Sequence, residues 1–200
     1  RSVAAAADGR VIVDSSKDIV TGFLLHTIPS IELHVLHLVR DSRAVAHSWQ
    51  RRRRRPEIHW KEAYMPVFSS GLSSRIWNHV NIMAHLLGRL CGHYAFVRYE
   101  DLASDPAGTI NGLPCMAMAD APFEAVQDGV LRPAPSHTVS GNPVRFQKEP
   151  LRIRVDDEWQ RAMPAGRRRW VTALTWPWLL AYGYPLGVDS TRRSQASRQK

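Results

Sequence analysis

The sequence predicts a three-layer α/β domain with a parallel sheet and helices on its faces. Two observations carry this. Short apolar, β-branched runs lie near residues 10–14, 33–39 and 94–98. Stretches with helical spacing separate them, and the order strand, helix, strand, helix, strand implies parallel pairing.

Taken in order, Ser2 to Ala7 read as the end of a helix stopped by Asp8-Gly9. Arg10 to Val13 read as a short buried strand, followed by the polar turn Asp14-Ser15-Ser16-Lys17. Asp18 caps a helix running to about Ile28, which Pro29 ends. Leu33 to Val39 form the second strand. Arg40-Asp41-Ser42 follows it, and then a helical stretch runs to about Arg54, with Pro56 terminating it. Leu72, Ile76, Val80, Met83, Leu87 and Leu90 recur at helical spacing, so 72–90 is the longest helix, and Gly92 ends it. Ala95 to Arg98 close the third strand, and Tyr99-Glu100-Asp101-Leu102 start the next turn. Residues 107–155 are rich in proline and glycine and read as loops. Asp156-Asp157-Glu158 open a helix near Trp159, and Gly166 to Tyr182 form the last one, with Pro177 as a point of interruption.

Composition bounds the rest. The 200 residues suit one domain, placed at 1–188, and the basic, polar residues 189–200 form a disordered tail. Hydrophobic residues make up 44%, enough for a core without staples. Cys91 and Cys115 stand far apart without CxxC spacing, which argues against a disulfide framework or zinc site and for a reducing, cytoplasmic compartment. No apolar run reaches membrane-spanning length. The net charge of +9 favours an anionic partner. Five consecutive arginines, Arg51 to Arg55, concentrate that charge; the run reads either as the solvated end of a helix or as a cationic rim.

In a parallel α/β sheet, ligands sit outside the C-terminal ends of the strands. Three polar clusters fall there: Ser15-Ser16-Lys17, Arg40-Asp41-Ser42 and Arg98-Tyr99-Glu100-Asp101. Arg40 ends a strand, Ser48 lies two turns into the following helix, and Arg52 is one turn further on the same face. An arginine fork, a hydroxyl and the first amides of a helix together suit a dianionic phosphate. The competing reading pairs Arg40 with a carboxylate and leaves Ser48 to packing.

LHLVRDSRAVAHSW resembles the 3′-phosphate motif of sulfotransferases that use 3′-phosphoadenosine 5′-phosphosulfate: a strand, an arginine, then a serine eight residues on. VIVDSSK resembles the family's preceding strand with its terminal lysine, and VRYEDLASDP the segment after the next core strand. HTVSGNPVRF, DDEWQRAMP and YGYP resemble the C-terminal region of bacterial members, a group similar to carbohydrate and tyrosylprotein sulfotransferases. The four matches stand in the family's order across most of residues 10–185. The resemblance implies a P-loop-NTPase-like sulfotransferase fold and transfer of a sulfuryl group from the phosphosulfate to a hydroxyl or amine. It implies Lys17 as the catalytic group that neutralises the leaving oxygen, and Arg40 and Ser48 as the 3′-phosphate ligands. It adds Arg52 as a further basic contact, Tyr99 near the nucleotide and Arg145 in a covering loop. For Tyr99 strand-end packing, and for Arg145 an ordinary loop cation, remain open readings.

No divalent metal is required, because a sulfuryl group carries less charge than a phosphoryl group. The expected partner is a small-molecule or carbohydrate acceptor, not nucleic acid. The sequence departs from the family in one respect: no GxSGS-like or GxxxxGK[ST] loop occurs in it, so an N-terminally incomplete fold is expected. A catalytically impaired nucleotide-binding remnant is therefore one alternative, and a basic nucleic-acid-binding module is another. Of nine histidines, only His137 falls near the proposed site; His34 and His37 read as packed strand residues.

Overall fold

The computed structural model describes residues 11–15, 18–55, 58, 60–118, 123–124, 126–132 and 149–187. The expected helix end at 2–7, Lys17, His137, Arg145 and the basic tail lie outside the described residues.

Helix α1 (Ile19–His26) starts where expected, with the Asp18 carboxylate accepting from the Val20 amide at 3.1 Å. Strand β1 (His34–Val39) leads into a short helix α2 (Ser42–Ser48). The long helix α3 (Ser70–Cys91) is capped by Ser69 and ends at Gly92, whose φ of 73° is the left-handed conformation that glycine adopts without strain. Strand β2 (His93–Arg98) follows, pairing parallel to β1 with His34 opposite His93 and Val39 opposite Arg98. Helices α4 (Tyr99–Ser104) and α5 (Pro106–Asn111) come next, α5 with Pro106 in its first turn and Asp105 as its cap.

A three-stranded antiparallel patch joins β3 (Val126–Gln127), β4 (Val130–Leu131) and β5 (Leu151–Arg152). The short helix α6 (Trp159–Ala162) then precedes α7 (Ala165–Ala181). α7 runs unbroken through Pro177, because Val171 and Thr175 before it and Leu179 after it are all anchored in the interior.

The parallel sheet has two strands among the described residues, not three. Residues 11–15 form no strand, and Val11, Ile12 and Val13 are more than half exposed. Their apolar, β-branched character supplies strand propensity, but a strand exists only where a partner edge completes its hydrogen bonds.

Helices α3 and α7 cover one face of the sheet. Val39 packs there with Trp77, Leu179, Tyr182 and Tyr184. Each such buried Val or Leu side chain stabilises the fold by about 1.5–3 kcal/mol. The Trp77 indole N–H donates to the Arg40 carbonyl at 3.0 Å, which fixes the strand end against α3. On the other face Leu36 and Leu38 are half exposed, so the described residues make two layers. No helix among them is long and apolar enough to cross a membrane.

The arginine run departs from expectation. α2 stops at Ser48, and the chain then turns out into an extended arm. The Met65 amide donates to the Arg53 carbonyl at 2.8 Å, and the Arg55 amide to the Ala63 carbonyl at 2.9 Å, around an Arg54–Tyr64 bridge. Adjacent guanidinium charges repel along a helix, and the residue before a proline is biased to extended backbone.

Candidate functional site

The ends of β1 and β2 converge on Arg40. Its Nη2 donates to the Asp156 carboxylate at 2.9 Å and to the Asp156 carbonyl at 3.2 Å. Its guanidinium carbon lies 4.6 Å from the centre of the Tyr99 ring. The buried Nε has no hydrogen-bond partner among the described residues, so the fork retains an unused donor. The carboxylate pairing foreseen as the competing reading is therefore present, and Tyr99 supports the same guanidinium.

A second ion pair lies beside the first. Arg51 contacts Glu158 at 2.5 Å and the His47 Nε2 at 3.0 Å. Burial lowers the Asp156 carboxyl's tendency to ionise, but the Arg40 hydrogen bond and charge, the Glu158 amide and Arg51 outweigh it, so its pKa falls below the usual value. Glu158 is likewise lowered, chiefly by its hydrogen bond from Arg51. His47 sits between the two pairs. Burial and the positive charges of Arg51 and Arg40 lower its pKa against the opposing pull of Glu158 and Asp156. Two guanidiniums are thus held in place, each paired with a carboxylate.

Ser48 is the last residue of α2 and partly buried. At the other end of α2, Asp41 Oδ1 accepts from the Arg43 amide at 2.8 Å. Ser48 thus stands at the end of α2 opposite the one that Asp41 caps, and no side-chain contact joins it to Arg40 among those the described residues show. Arg52 does not continue the Ser48 face as expected. It stands on the extended arm, stacked 3.8 Å from the centre of the Tyr64 ring.

Several neighbours in the sequence clusters are absorbed by the fold. The Arg43 guanidinium is almost wholly buried. It makes a two-pronged ion pair with Asp41 (2.9 and 2.6 Å), donates to the Pro185 and Leu186 carbonyls, and lies over Trp159. Thr175 donates to the Val171 carbonyl, which leaves the Ser42 hydroxyl to donate to Thr175 at 2.7 Å. Glu100 accepts from the Tyr184 hydroxyl at 2.5 Å, and burial followed by that carboxylate pushes the Tyr184 pKa up. Arg98 pairs with Asp101. Among the described residues of the second and third clusters, Arg40 and Tyr99 come together, the guanidinium lying over the ring.

Sequence reasoning missed a hydrogen-bonded chain under α3. Asn81 Nδ2 donates to the Trp77 carbonyl at 2.6 Å, so its Oδ1 accepts from His37 Nε2–H at 2.9 Å. His37 Nδ1 then accepts from the Tyr94 hydroxyl at 2.6 Å. That leaves the Tyr94 oxygen to accept from His85 Nδ1–H at 3.2 Å, and His85 Nε2 to accept from Tyr182 at 2.8 Å. Every donor points the same way, and both histidines are neutral. Burial lowers the pKa of His37 from 6.5 to about 4, and raises that of Tyr94 to about 12. The outer end of this chain, His85 and Tyr182, faces an open cleft of about 320 Å³ that Phe96 and Trp178 also line.

Residues 16–114, about half of the chain, match the family model described as the sulfotransferase domain. The matched stretch contains α1, both parallel strands, Arg40, Ser48 and Tyr99. No curated protein and no solved structure matches the chain.

Proposed function

The chain belongs to the sulfotransferase family, and on that premise we propose that it transfers a sulfuryl group from 3′-phosphoadenosine 5′-phosphosulfate to a hydroxyl or amine acceptor. The single observation that carries the nucleotide reading is Arg40. It leaves the C-terminal end of a parallel strand, is held against Tyr99, and keeps a buried donor unspent. In this reading Arg40 and Ser48 bind the 3′-phosphate, with Asp156 released as the phosphate takes its place. Arg51 adds charge from the next turn, Arg52 reaches in from the arm, and Arg145 covers the nucleotide. The acceptor is a small molecule or carbohydrate, and the setting is cytoplasmic.

The reaction follows from charge. The acceptor lone pair forms a bond to sulfur in line with the leaving group. The bond from sulfur to the 5′-phosphate oxygen breaks, its electron pair stays on the phosphate, and the acceptor proton passes to a base or to water. Lys17 is assigned to neutralise the leaving oxygen as its charge develops. Alignment supplies much of the remaining acceleration. The fold that goes with this reading is the three-layer, P-loop-NTPase-like one, in which both faces of a parallel sheet are covered. Leu36 and Leu38 are the side chains that the further layer would cover.

The test is calorimetric binding of adenosine 3′,5′-diphosphate. Arg40→Ala removes a charge-assisted contact and weakens binding by about 1.5–3 kcal/mol; Ser48→Ala removes a neutral one and costs about 0.5–1.5 kcal/mol. Asp156→Asn removes the competing carboxylate and tightens binding. Unchanged affinity in both Arg40→Ala and Ser48→Ala overturns the assignment.

A further inference from the structure

The opposite end of the same two strands carries a different constellation. The parallel register sets His34, the first residue of β1, directly against His93, the first residue of β2. Adjacent strands lie about 4.8 Å apart, and the two imidazoles stack with centroids 4.4 Å apart and planes 19° from parallel. Glu32 precedes His34 by two positions, so its side chain leaves the same side of the extended backbone. Its Oε1 lies 3.0 Å from His34 Nε2 and 3.5 Å from His93 Nε2. One ligand atom from each residue falls within 4.8 Å of the other two.

The geometry points to a divalent transition-metal site formed by Glu32, His34 and His93, at the N-terminal edge of the parallel sheet. Two imidazole nitrogens and a carboxylate are a donor set that zinc and its neighbours accept, with positions left for water. Four-coordinate bonds of 2.0–2.1 Å place ligand atoms about 3.4 Å apart, close to the two distances already present between Glu32 and the histidines. Strand pairing fixes both histidine backbones, so little rearrangement is needed. His34 is the most enclosed of the three, while the Glu32 and His93 side chains are more than half exposed, which leaves the site open to an incoming ion. A metal held there joins the start of β1 to the start of β2. Arg40 lies six positions beyond His34, about 20 Å along an extended strand, so the site is separate from the proposed nucleotide contacts.

The experiment titrates the metal-free full chain with Co²⁺, read by visible absorption, and then displaces it with Zn²⁺. The expected result is one ion per chain in a low-symmetry coordination spectrum. Losing an outer-shell partner of a metal typically weakens binding 10–100-fold, so losing a ligand itself, in His34→Ala or His93→Ala, is expected to cost at least about tenfold. His79→Ala, an exposed histidine on α3, leaves affinity unchanged. Zn²⁺ raises the melting temperature of the unmodified chain and of His79→Ala, but not of the two site variants, because an ion that binds only the folded state stabilises it by mass action. Because either histidine variant could misfold, a second reading uses the unmodified chain. Substoichiometric Ni²⁺ is expected to broaden the imidazole proton resonances of His34 and His93 before those of His26 and His79. No saturable binding, affinity in both site variants unchanged from that of the unmodified chain, or uniform broadening of all histidines overturns the site.

Discussion

The buried histidine of the hydrogen-bonded chain makes stability depend on pH, and the size of the effect follows from its surroundings. His37 accepts from Tyr94 and donates to Asn81, so adding a proton places a second N–H against a hydroxyl that already donates, in a site closed to water. Its pKa in the folded chain is about 4, against 6.5 unfolded. The unfolded chain therefore binds the proton first as pH falls, and folding stability is lost on acidification through the window between 6.5 and about 4. At 1.36 kcal/mol per pH unit, the loss reaches about 2 kcal/mol near pH 5 and about 3 kcal/mol below the folded value. His85 and His47 are lowered as well and act in the same direction. His37→Gln isolates the contribution, because a glutamine amide accepts from Tyr94 and donates to Asn81 without titrating. Urea unfolding near pH 8 and near pH 5 provides the assay. The unmodified chain is expected to lose about 2 kcal/mol more than His37→Gln between the two conditions. Equal losses in both proteins would refute the reasoning, and so would an imidazole resonance of His37 that titrates at an ordinary value.

Two further outcomes test the packing around the site. Arg43→Met leaves the buried Asp41 carboxylate without its partner, and thermal unfolding should show a loss of about 3–5 kcal/mol; a loss below 1 kcal/mol would mean that water reaches the pair. Gly88→Ala sets a methyl against the Tyr94 ring on β2, well inside van der Waals contact, and the repacking should cost about 1–3 kcal/mol in urea; no change would mean that the ring has room to move.

The parts of the fold legible in the sequence are those set by short-range chemistry. β1 and β2 are six-residue apolar runs bounded by turns, and α3 has both a serine cap and a terminal glycine, so each is readable within its own window. Residues 11–15 look the same by composition, yet a strand needs an edge to pair with, and that edge is a property of the assembled sheet. The arginine run carries helical spacing forward on paper. Its charges and Pro56 act against the helix, and the pairing with residues 63–65 that replaces it is made by the backbone, which sequence pattern does not encode. β3, β4 and β5 are two residues each, too short for any periodicity to register.

The candidate site was legible to the same extent. Arg40 stands out because a cation directly after a buried strand is costly unless something receives it, and Tyr99 follows the neighbouring strand in the same way. Arg43 gave no such signal. It lies two residues after the aspartate it pairs with, and its other partners are carbonyls at the far end of the chain. A buried charge of this kind holds α2 in place beside Arg40, so it acts on the site through the backbone rather than by contact. His34 and His93 show the general case. Each is an unremarkable histidine at a strand start, and only the parallel register makes them neighbours. The same register carries Val39 and Arg98 level at the other end of the strands, which is what brings Arg40 and Tyr99 together. One pairing therefore fixes both constellations. A substitution that slips β1 against β2 by two residues would keep the buried face buried, yet it would separate His34 from His93 and Arg40 from Tyr99 together.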